Sequence, residues 1–211
     1  MTSSKIGYNN KLRMIIAIGI MLMAVLLLLS LTFIRNPFNS YNYYGRVIDM
    51  PAPEFNLKDL DGQEVQLNNF QGKYIYLMFG YLNCNKTCHS QALVLDYLSN
   101  GISDNDVHFV YISMDPQRDD VSKLKFYFRE KSHRLTILRG NNIRQLQAVA
   151  NEFKVPFIIK PSVTDSEYEI SHPGYIFMIN PDGRLSMVYS GNLIDPERLY
   201  QDLSFYKSHY S

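Results

Sequence analysis

The hydrophobic positions of the chain form one long run near the N-terminus, followed by shorter segments with strand and helix patterns. Residues 14–34 carry no charged side chain. An α-helix over this run rises about 1.5 Å per residue and spans the roughly 30 Å hydrocarbon core of a bilayer. The run is longer than the apolar part of a secretory signal peptide, which has about 7–15 residues. It therefore predicts an uncleaved transmembrane anchor over residues 14–34.

The charges beside this run predict its orientation. Lys5, Lys11 and Arg13 precede it, and Arg35 closely follows it. By the positive-inside rule, residues 1–13 form a cytoplasmic tail and the chain beyond the anchor lies on the other side of the membrane. The start of the chain lacks the Arg-rich, Ser-rich pattern of a mitochondrial transit segment. We therefore expect a single-pass protein of a bacterial inner membrane with its C-terminal domain in the periplasm.

Beyond the anchor, the pattern predicts a linker and one α/β domain. Residues 35–50 show no period and are assigned to the linker, which leaves residues 51–211 for the domain. Strands that alternate with helices and then end in a hairpin and a helix indicate a central mixed sheet flanked by helices. In chain order, the predicted elements are a hairpin (55–57 and 65–67), a strand (75–79), a helix (89–99), a strand (107–114), a helix (119–131), a strand (135–138), a helix (142–153), two strands (175–179 and 185–189) and a helix (196–206).

The only two cysteines of the chain lie at a predicted strand-to-helix turn. Cys84 and Cys88 are spaced C-x-x-x-C, after the strand 75–79 and at the start of the helix 89–99. The N-terminus of a helix stabilises thiolates, which can exchange disulfides or bind a soft metal. Because two thiolates rarely complete a coordination sphere, a metal site would need a third ligand from elsewhere in the chain. A structural disulfide remains an alternative in an oxidising compartment.

Three separated segments resemble the SCO/SenC family of copper chaperones for cytochrome c oxidase. They are GYLNCNKTCHSQ at residues 80–91, VYISMDPQRD at residues 110–119, and residues 153–183, which end in HPGYIFMINPDG. The resemblance covers about residues 52–206 and implies a thioredoxin-like fold. It also implies that Cys84, Cys88 and His172 bind copper, as Cu(I), Cu(II) or both.

The function implied by this resemblance is delivery of copper to a respiratory cytochrome c oxidase, or preparation of its dinuclear copper site. The partner would be the copper-binding subunit of the oxidase or another periplasmic copper protein. An alternative is a periplasmic thiol-disulfide oxidoreductase that acts on cysteines of a copper protein, which would use Cys84 and Cys88 but not His172. Copper-linked redox sensing or peroxide defence is a third. Acidic residues slightly outnumber basic ones beyond the anchor, which disfavours nucleic-acid binding.

Several nearby residues carry two interpretations each. His89 stands where the family usually has Pro, and it is either a further ligand or a solvent-facing helical residue. The peptide bond before Pro173 is either cis, as in the corresponding loop of thioredoxin folds, or trans. Asp115 and Asp119 match acidic positions of the family. They either support the metal ligands or help to dock a partner protein, unless Asp119 or Asp120 instead caps the following helix.

The remaining histidines and the methionines on strands are assigned by their expected location. We expect His108, His133 and His209 to lie on the surface. The methionines on predicted strands are expected to be core residues, namely Met78, Met114 and Met178.

Overall fold

The computed structural model describes residues 3–35, 41–84, 87–128, 132–161 and 168–210. The chain divides into two compact units, residues 1–42 and residues 43–211. The first unit contains helix α1 (Ser3–Arg35). Within α1, the stretch Asn10–Ser30 has a mean hydropathy of 2.7 and is long and apolar enough to cross a membrane. This stretch overlaps most of the anchor predicted at residues 14–34.

The second unit is an α/β domain. Its strands and helices are, in chain order, β1 (Arg46–Pro51), β2 (Asn56–Lys58), β3 (Glu64–Gln66), a short 3-10 helix (Leu67–Phe70), β4 (Tyr74–Gly80), α2 (Thr87–Gly101), β5 (Val107–Ser113), α3 (Val121–Tyr127), β6 (Leu135–Arg139), α4 (Ile143–Glu152), β7 (Ile158–Pro161), β8 (Tyr168–Ser171), β9 (Tyr175–Ile179), β10 (Arg184–Ser190) and α5 (Pro196–Tyr210).

Eight of these strands form one mixed sheet in the order β1-β10-β9-β4-β5-β6-β2-β3. The central strands β4, β5 and β6 are parallel to one another, whereas β9 runs antiparallel to β4. The strands β7 and β8 pair separately as an antiparallel hairpin. Because α2 and α3 connect successive parallel strands, the carboxyl ends of β4 and β5 lie at one edge of the sheet.

The sheet is covered on both faces, and strand β4 shows how the core divides. Ile75, Leu77 and Phe79 point into one cluster, which α4 covers, whereas Tyr76 and Met78 point into the other, which α2, α3 and α5 cover. All seven residues of β4 are buried. A strand buried on both faces gives the continuous apolar run that made it predictable.

The predicted α/β architecture is confirmed, and each predicted strand and helix is present with its ends shifted by up to four residues. Residues 129–131 of the predicted helix 119–131 lie outside the described residues. Met78, Met114 and Met178 are fully buried, as expected. The linker prediction is wrong in its last part, because residues 46–50 belong to β1 at the sheet edge. This strand has no polar–apolar alternation, since all of its residues except one are exposed. The hairpin β7–β8 was not predicted either.

The carboxylate of Asp202 in α5 fixes the start of the domain. It accepts hydrogen bonds from the backbone N–H groups of Tyr44 (3.1 Å) and Gly45 (2.8 Å). A Cβ at Gly45 would lie 2.6 Å from the ring of Tyr189, so only glycine fits there. The chain is therefore already in a fixed position before β1 begins.

The expectation of a surface position is wrong for His108. Its side chain is buried on β5, contacts Thr136 Oγ1 through Nε2 at 2.8 Å, and lies 5.0 Å from the ring of Phe70. The polar contact lets an imidazole occupy a buried strand position. Burial, with smaller effects of Lys73 and other nearby cations, lowers the pKa of His108 from 6.5 to about 4.

This burial predicts a stability change between pH 7 and pH 4.5. Between pH 6.5 and about 4, His108 binds a proton in the unfolded chain but not in the folded one, so its contribution makes folding less favourable as the pH falls. We expect His108→Gln to remove about 2 kcal/mol of that loss. Urea unfolding of the full chain in detergent, at both pH values, measures the difference.

The comparison must be made between variant and wild type, because Asp119 titrates in the same range with the opposite sign. Its pKa is raised from 3.8 to about 6, so it favours the folded state as the pH falls. His209→Gln, at an exposed histidine that is not among the groups acting on His108, is the control, and its pH dependence should follow that of the wild type. An unchanged pH dependence in His108→Gln would contradict the burial of this imidazole as a neutral group.

Candidate metal centre

The loop that carries the first cysteine follows β4 through a tightly packed glycine. A Cβ at Gly80 would lie 2.9 Å from the ring of Tyr111, so this position admits no larger residue without a shift. Tyr81 and Cys84 follow, and both are buried. The N–H of Cys84 donates to the carbonyl of Tyr81 at 3.3 Å, which closes a turn. Cys84 is disulfide-bonded.

The second cysteine lies in the first turn of α2, as the sequence predicted. The side chains of Cys88 and His89 lie outside the described residues, as do residues 85 and 86. Both interpretations of His89 therefore stay predictions, and so does the role of Cys88 as a ligand.

The carboxylate of Asp119 holds the loop of Cys84 in place. Both of its oxygens lie 3.2 Å from the N–H of Leu82, and Oδ2 accepts from the hydroxyl of Ser113 at 2.7 Å. Asp119 is fully buried, and it joins the end of β5 to the turn before Cys84. The helix-cap interpretation is wrong for Asp119, because Asp120 caps α3 by accepting from the N–H of Lys123 at 2.8 Å.

Burial shapes the electrostatics of Asp119. Its pKa is raised to about 6, chiefly because burial disfavours the charged form, while the hydrogen bonds from Ser113 and Leu82 act in the opposite direction. The carboxylate is thus charged at neutral pH, when it accepts these hydrogen bonds most strongly.

Asp115 and Arg118 connect the same turn to the hairpin β7–β8. The guanidinium of Arg118 forms an ion pair with the buried Asp115 carboxylate at 2.5 Å, and its Nη1 donates to the carbonyl of Tyr168 at 2.7 Å. The Tyr168 hydroxyl donates to Asp115 Oδ1 at 2.7 Å. The guanidinium also stacks on the Tyr168 ring, 3.7 Å from its centre. These contacts fix the first residue of β8.

Tyr81 contacts β8 from the opposite side of this network. Its hydroxyl accepts a hydrogen bond from the N–H of Ile170 at 3.3 Å, and its ring lies 5.7 Å from the Arg118 guanidinium. Ile170 is buried and is followed by Ser171, where β8 ends. The strand that leads to His172 is therefore held by Tyr81 and by Arg118.

His172 follows β8 and lies beside the loop of Cys84. Its ring centre is 6.2 Å from that of Tyr81 in an edge-to-face arrangement, and its Nδ1 lies 2.9 Å from the carbonyl of Pro173. Burial lowers the pKa of His172 below 6.5, although the contact with Pro173 partly opposes this. The bond before Pro173 is trans, so the cis interpretation is wrong.

Tyr81 is thus the residue that brings two predicted ligands to one place. Its carbonyl accepts from Cys84, and its ring contacts His172. Among the described residues, no group of three or more His, Cys, Asp or Glu side chains is arranged to hold a metal ion. Cys84 and His172 form the described part of the candidate centre, with Cys88 as the predicted third member.

The whole domain matches a known family. The SCO1/SenC family model matches residues 49–208. The chain belongs to the SCO1/SenC family. This SCO1/SenC protein is 30% identical over 141 residues to the Arabidopsis thaliana protein "SCO1 homolog 1, mitochondrial", covering 65% of the chain and 42% of the relative. It is 27% identical over 165 residues to the SCO2-like protein RP587 of Rickettsia prowazekii, covering 76% of the chain and 80% of the relative.

Solved SCO1/SenC proteins share the fold. Arabidopsis thaliana ScoI, solved with copper bound, is 26% identical with a TM-score of 0.66, and the match covers 76% of this chain and 100% of that one. Bradyrhizobium japonicum ScoI, also with copper bound, is 25% identical with a TM-score of 0.62, covering 74% and 99%. The present SCO1/SenC chain spans about half the length of the mitochondrial relatives that it matches first.

Sequence reasoning missed three residues of this SCO1/SenC site. Tyr81 joins the loop of Cys84 to β8 and His172, and Arg118 and Tyr168 join the turn 115–119 to β8. The sequence could have indicated Arg118, because this residue lies within the Asp-Pro-x-Arg-Asp motif. It could not have indicated the two tyrosines, since their contacts join segments that are distant in the sequence.

The position of Asp119 predicts the effect of its removal. Asp119→Ala leaves the buried Ser113 hydroxyl and the partly buried Leu82 N–H without their acceptor, so we expect a loss of about 2 kcal/mol in the free energy of unfolding. The loop of Cys84 should also loosen. After reduction, its thiol should react faster with a thiol reagent at pH 7.5.

Two variants serve as controls for this experiment. Asp119→Asn keeps an acceptor of the same shape and should lose less stability. Asp120→Ala removes the cap of α3 and should lower the stability without changing the thiol reaction rate. Equal thiol rates in Asp119→Ala and Asp120→Ala would show that Asp119 does not position the loop.

Proposed function

We propose that this protein binds copper through Cys84, Cys88 and His172 and delivers it to, or prepares, the dinuclear copper site of a respiratory cytochrome c oxidase. The observation that carries the proposal is the contact of Tyr81 with both Cys84 and His172, in a chain of the SCO1/SenC family. The copper-bound ScoI structures support the choice of metal. The acceptor is the copper-binding subunit of the oxidase or another periplasmic copper protein.

The donor set suits copper as a cargo. Two thiolates favour Cu(I), and an imidazole nitrogen also accepts Cu(II). The lowered pKa of His172 keeps the imidazole neutral at pH 7, as a ligand must be. A set of three protein ligands leaves room for a ligand from the acceptor, so the metal can be transferred by exchange.

Loading with copper requires reduction of the disulfide at Cys84. Two electrons and two protons convert a disulfide into two thiols, and a dithiol reductant supplies them while forming its own disulfide. The thiols lose their protons when they bind the metal. The protein therefore cycles between a disulfide form and a reduced form that accepts copper.

The apolar helix α1 supports membrane anchoring. We propose that the stretch within residues 14–34 spans the bacterial inner membrane, with residues 1–13 in the cytoplasm and the folded domain in the periplasm. The basic residues before the span favour this orientation. An anchored domain searches a layer beside the membrane, where a membrane-bound oxidase subunit also lies.

A thiol-disulfide oxidoreductase is the second candidate, and the disulfide at Cys84 favours it. In that function the reduced dithiol attacks a disulfide of a copper protein through a mixed disulfide, and the electrons pass to the target. His172 would then have no direct role, so this residue separates the two functions.

Copper titration of the reduced full chain in detergent tests the proposal. With Cu(I) under a competing chelator, we expect one tight equivalent. His172→Ala and Cys84→Ser each remove a ligand and should weaken binding at least about 100-fold, a larger effect than loss of a supporting residue.

His133→Ala is the matched control, since it removes an exposed histidine, and it should bind copper as the wild type does. Thiol exchange with a disulfide peptide is measured on the same samples. If His172→Ala binds copper as tightly as the wild type and thiol exchange is intact, the result would favour the oxidoreductase over the copper chaperone.

Anchoring predicts how the protein behaves in bacterial membranes. The full chain should remain in the membrane fraction after alkaline carbonate extraction, because a transmembrane helix is not released by loss of electrostatic contacts. A variant with Asp in place of Ile20 and Leu26 should be extracted, since each charge is costly at the bilayer centre. Extraction of the wild-type chain would contradict the anchor.

A further inference from the structure

Four exposed apolar side chains lie where helix α2 packs beside α5. They are Leu193 (88% exposed), Leu93 (61%), Tyr97 (54%) and Tyr200 (39%). Leu93 and Tyr97 are one turn apart and share a face of α2. Tyr97 and Tyr200 line one cavity between the two helices. Single exposed apolar residues are common on proteins, whereas a group of them on one surface marks an interaction site. We call these four residues the α2–α5 surface.

The backbone around Leu193 is held in place. The hydroxyl of Ser90 donates to the carbonyl of Asn192 at 3.0 Å. The hydroxyl of Tyr44 lies 3.5 Å from the carbonyl of Leu193 and accepts from the N–H of Asp195 at 3.2 Å. The most exposed side chain of this surface is therefore carried by a fixed loop, which loses little conformational freedom when a partner binds.

The α2–α5 surface begins beside the first turn of α2, where the second cysteine lies. Ser90 and Gln91 follow Cys88 by two and three residues. Gln91 Nε2 donates to the carbonyl of Gly191 at 3.2 Å and so ties the loop of Leu193 to this end of the helix. A protein bound on Leu193 would therefore lie next to the segment that carries Cys88.

The same surface has an acidic border. Helix α2 and the segment between β10 and Arg198 carry Asp96, Asp195 and Glu197 but no Lys or Arg. Arg198 itself stacks on the ring of Tyr44, 4.2 Å from its centre. An acidic border repels anionic phospholipids and the same border of a second copy of the chain. It is complementary to a protein that carries Lys or Arg around an apolar patch.

A small cavity gives such a cation a place to bind. Its volume is about 170 Å³, and Tyr97, Tyr200 and Glu197 are in its lining. The hydroxyl of Tyr97 donates to Glu197 Oε1 at 2.7 Å. A carboxylate has further lone pairs, and the faces of tyrosine rings attract cations. The cavity therefore fits the end of a Lys or Arg side chain from a partner.

We propose that the α2–α5 surface docks a dithiol protein that reduces the disulfide at Cys84, and that this partner carries Lys or Arg beside its reactive thiol. The inference rests on the reductive step of the proposed function. Cations beside a thiol lower its pKa and favour the thiolate, which is the species that attacks a disulfide. The charges that activate such a partner thus match the acidic border, while Leu193 enters an apolar pocket of the partner.

The reaction at this surface is a thiol-disulfide exchange in two steps. The thiolate of the partner attacks one sulfur of the disulfide, which forms a mixed disulfide and releases the other sulfur as a thiolate that takes up a proton. The second thiolate of the partner then attacks the mixed disulfide. The partner leaves with its own disulfide, and two electrons and two protons have passed to this chain.

The test measures how fast thiol peptides form the mixed disulfide with the oxidised full chain, in phosphatidylcholine nanodiscs at pH 7.5 and low ionic strength. The probe is a capped pentapeptide with Leu and Phe around one Cys and with Lys at both ends. Its counterpart has Glu at both ends. Dithiothreitol, which is small and uncharged, measures the reactivity of the disulfide without docking.

The variants locate the effect. Leu193→Ser should slow the Lys-ended peptide about fivefold, because it removes the apolar contact. Glu197→Gln should slow this peptide about threefold and should not slow the Glu-ended one. Neither variant should change the rate with dithiothreitol. Val47→Ser, at an exposed apolar residue of β1, and Glu152→Gln, at an exposed carboxylate of α4, are the matched controls and should react as the wild type does.

The proposal is overturned if Leu193→Ser and Glu197→Gln react with the Lys-ended peptide at the wild-type rate, or if their rates with dithiothreitol fall by the same factor. It is also overturned if the effect of Leu193→Ser is present in detergent but absent in nanodiscs, because the bilayer would then cover the surface. A lower oligomeric state of Leu193→Ser would assign the surface to a second copy and overturn the proposal as well.

Copper titration of the same samples after reduction separates this inference from the copper function. Leu193→Ser should bind Cu(I) as the wild type does. If the wild type binds no copper, the copper function fails, and the peptide rates still decide whether a dithiol partner docks here. If copper binds as expected and the peptide rates do not depend on Leu193, only the docking surface is wrong.

Discussion

The buried carboxylate of Asp119 is the constraint on which the candidate site depends. A carboxylate removed from water must be hydrogen-bonded, and the donors available to Asp119 are the Leu82 N–H and the Ser113 hydroxyl. These two hydrogen bonds join the end of β5 to the turn before Cys84. The first cysteine is therefore positioned by the interior of the domain, although it lies in a connecting loop. Asp115 acts similarly on the other segment, because it orients Arg118 towards β8.

The segments that carry Cys84 and His172 are thus both held by one short turn, residues 115–119. They are far apart in the sequence, and the sheet alone would not bring them together, since β8 belongs to a separate hairpin. Tyr81 completes the arrangement from the side of the cysteine loop. This arrangement agrees with the proposed copper carrier. Asp115 and Asp119 are buried supports, whereas Cys84 and His172 lie in connecting segments after β4 and β8.

The sequence predicted the parts of the fold that have a strong pattern of burial. Strand β4 was evident from its apolar run and α4 from its spacing of apolar residues, whereas β1 was hidden because an exposed edge strand has no such pattern. The supporting residues were harder to assign. In the sequence, Asp119 and Asp120 are equally good candidates for the helix cap. Only the packing shows that Asp119 is buried beneath the cysteine loop. The contact of Tyr81 with His172 depends on tertiary structure alone.

The attachment of residues 43–45 to α5 has a mechanical consequence. Tension in the preceding chain reaches the domain at Tyr44 and Gly45, where the carboxylate of Asp202 accepts hydrogen bonds from both N–H groups. The load then divides between the last helix and the ladder of β1 with β10, at the sheet edge. The hairpin β7–β8, which leads to His172, lies outside this path, because it pairs apart from the main sheet. A domain pulled through residues 43–45 can therefore yield at its border while this hairpin stays in place.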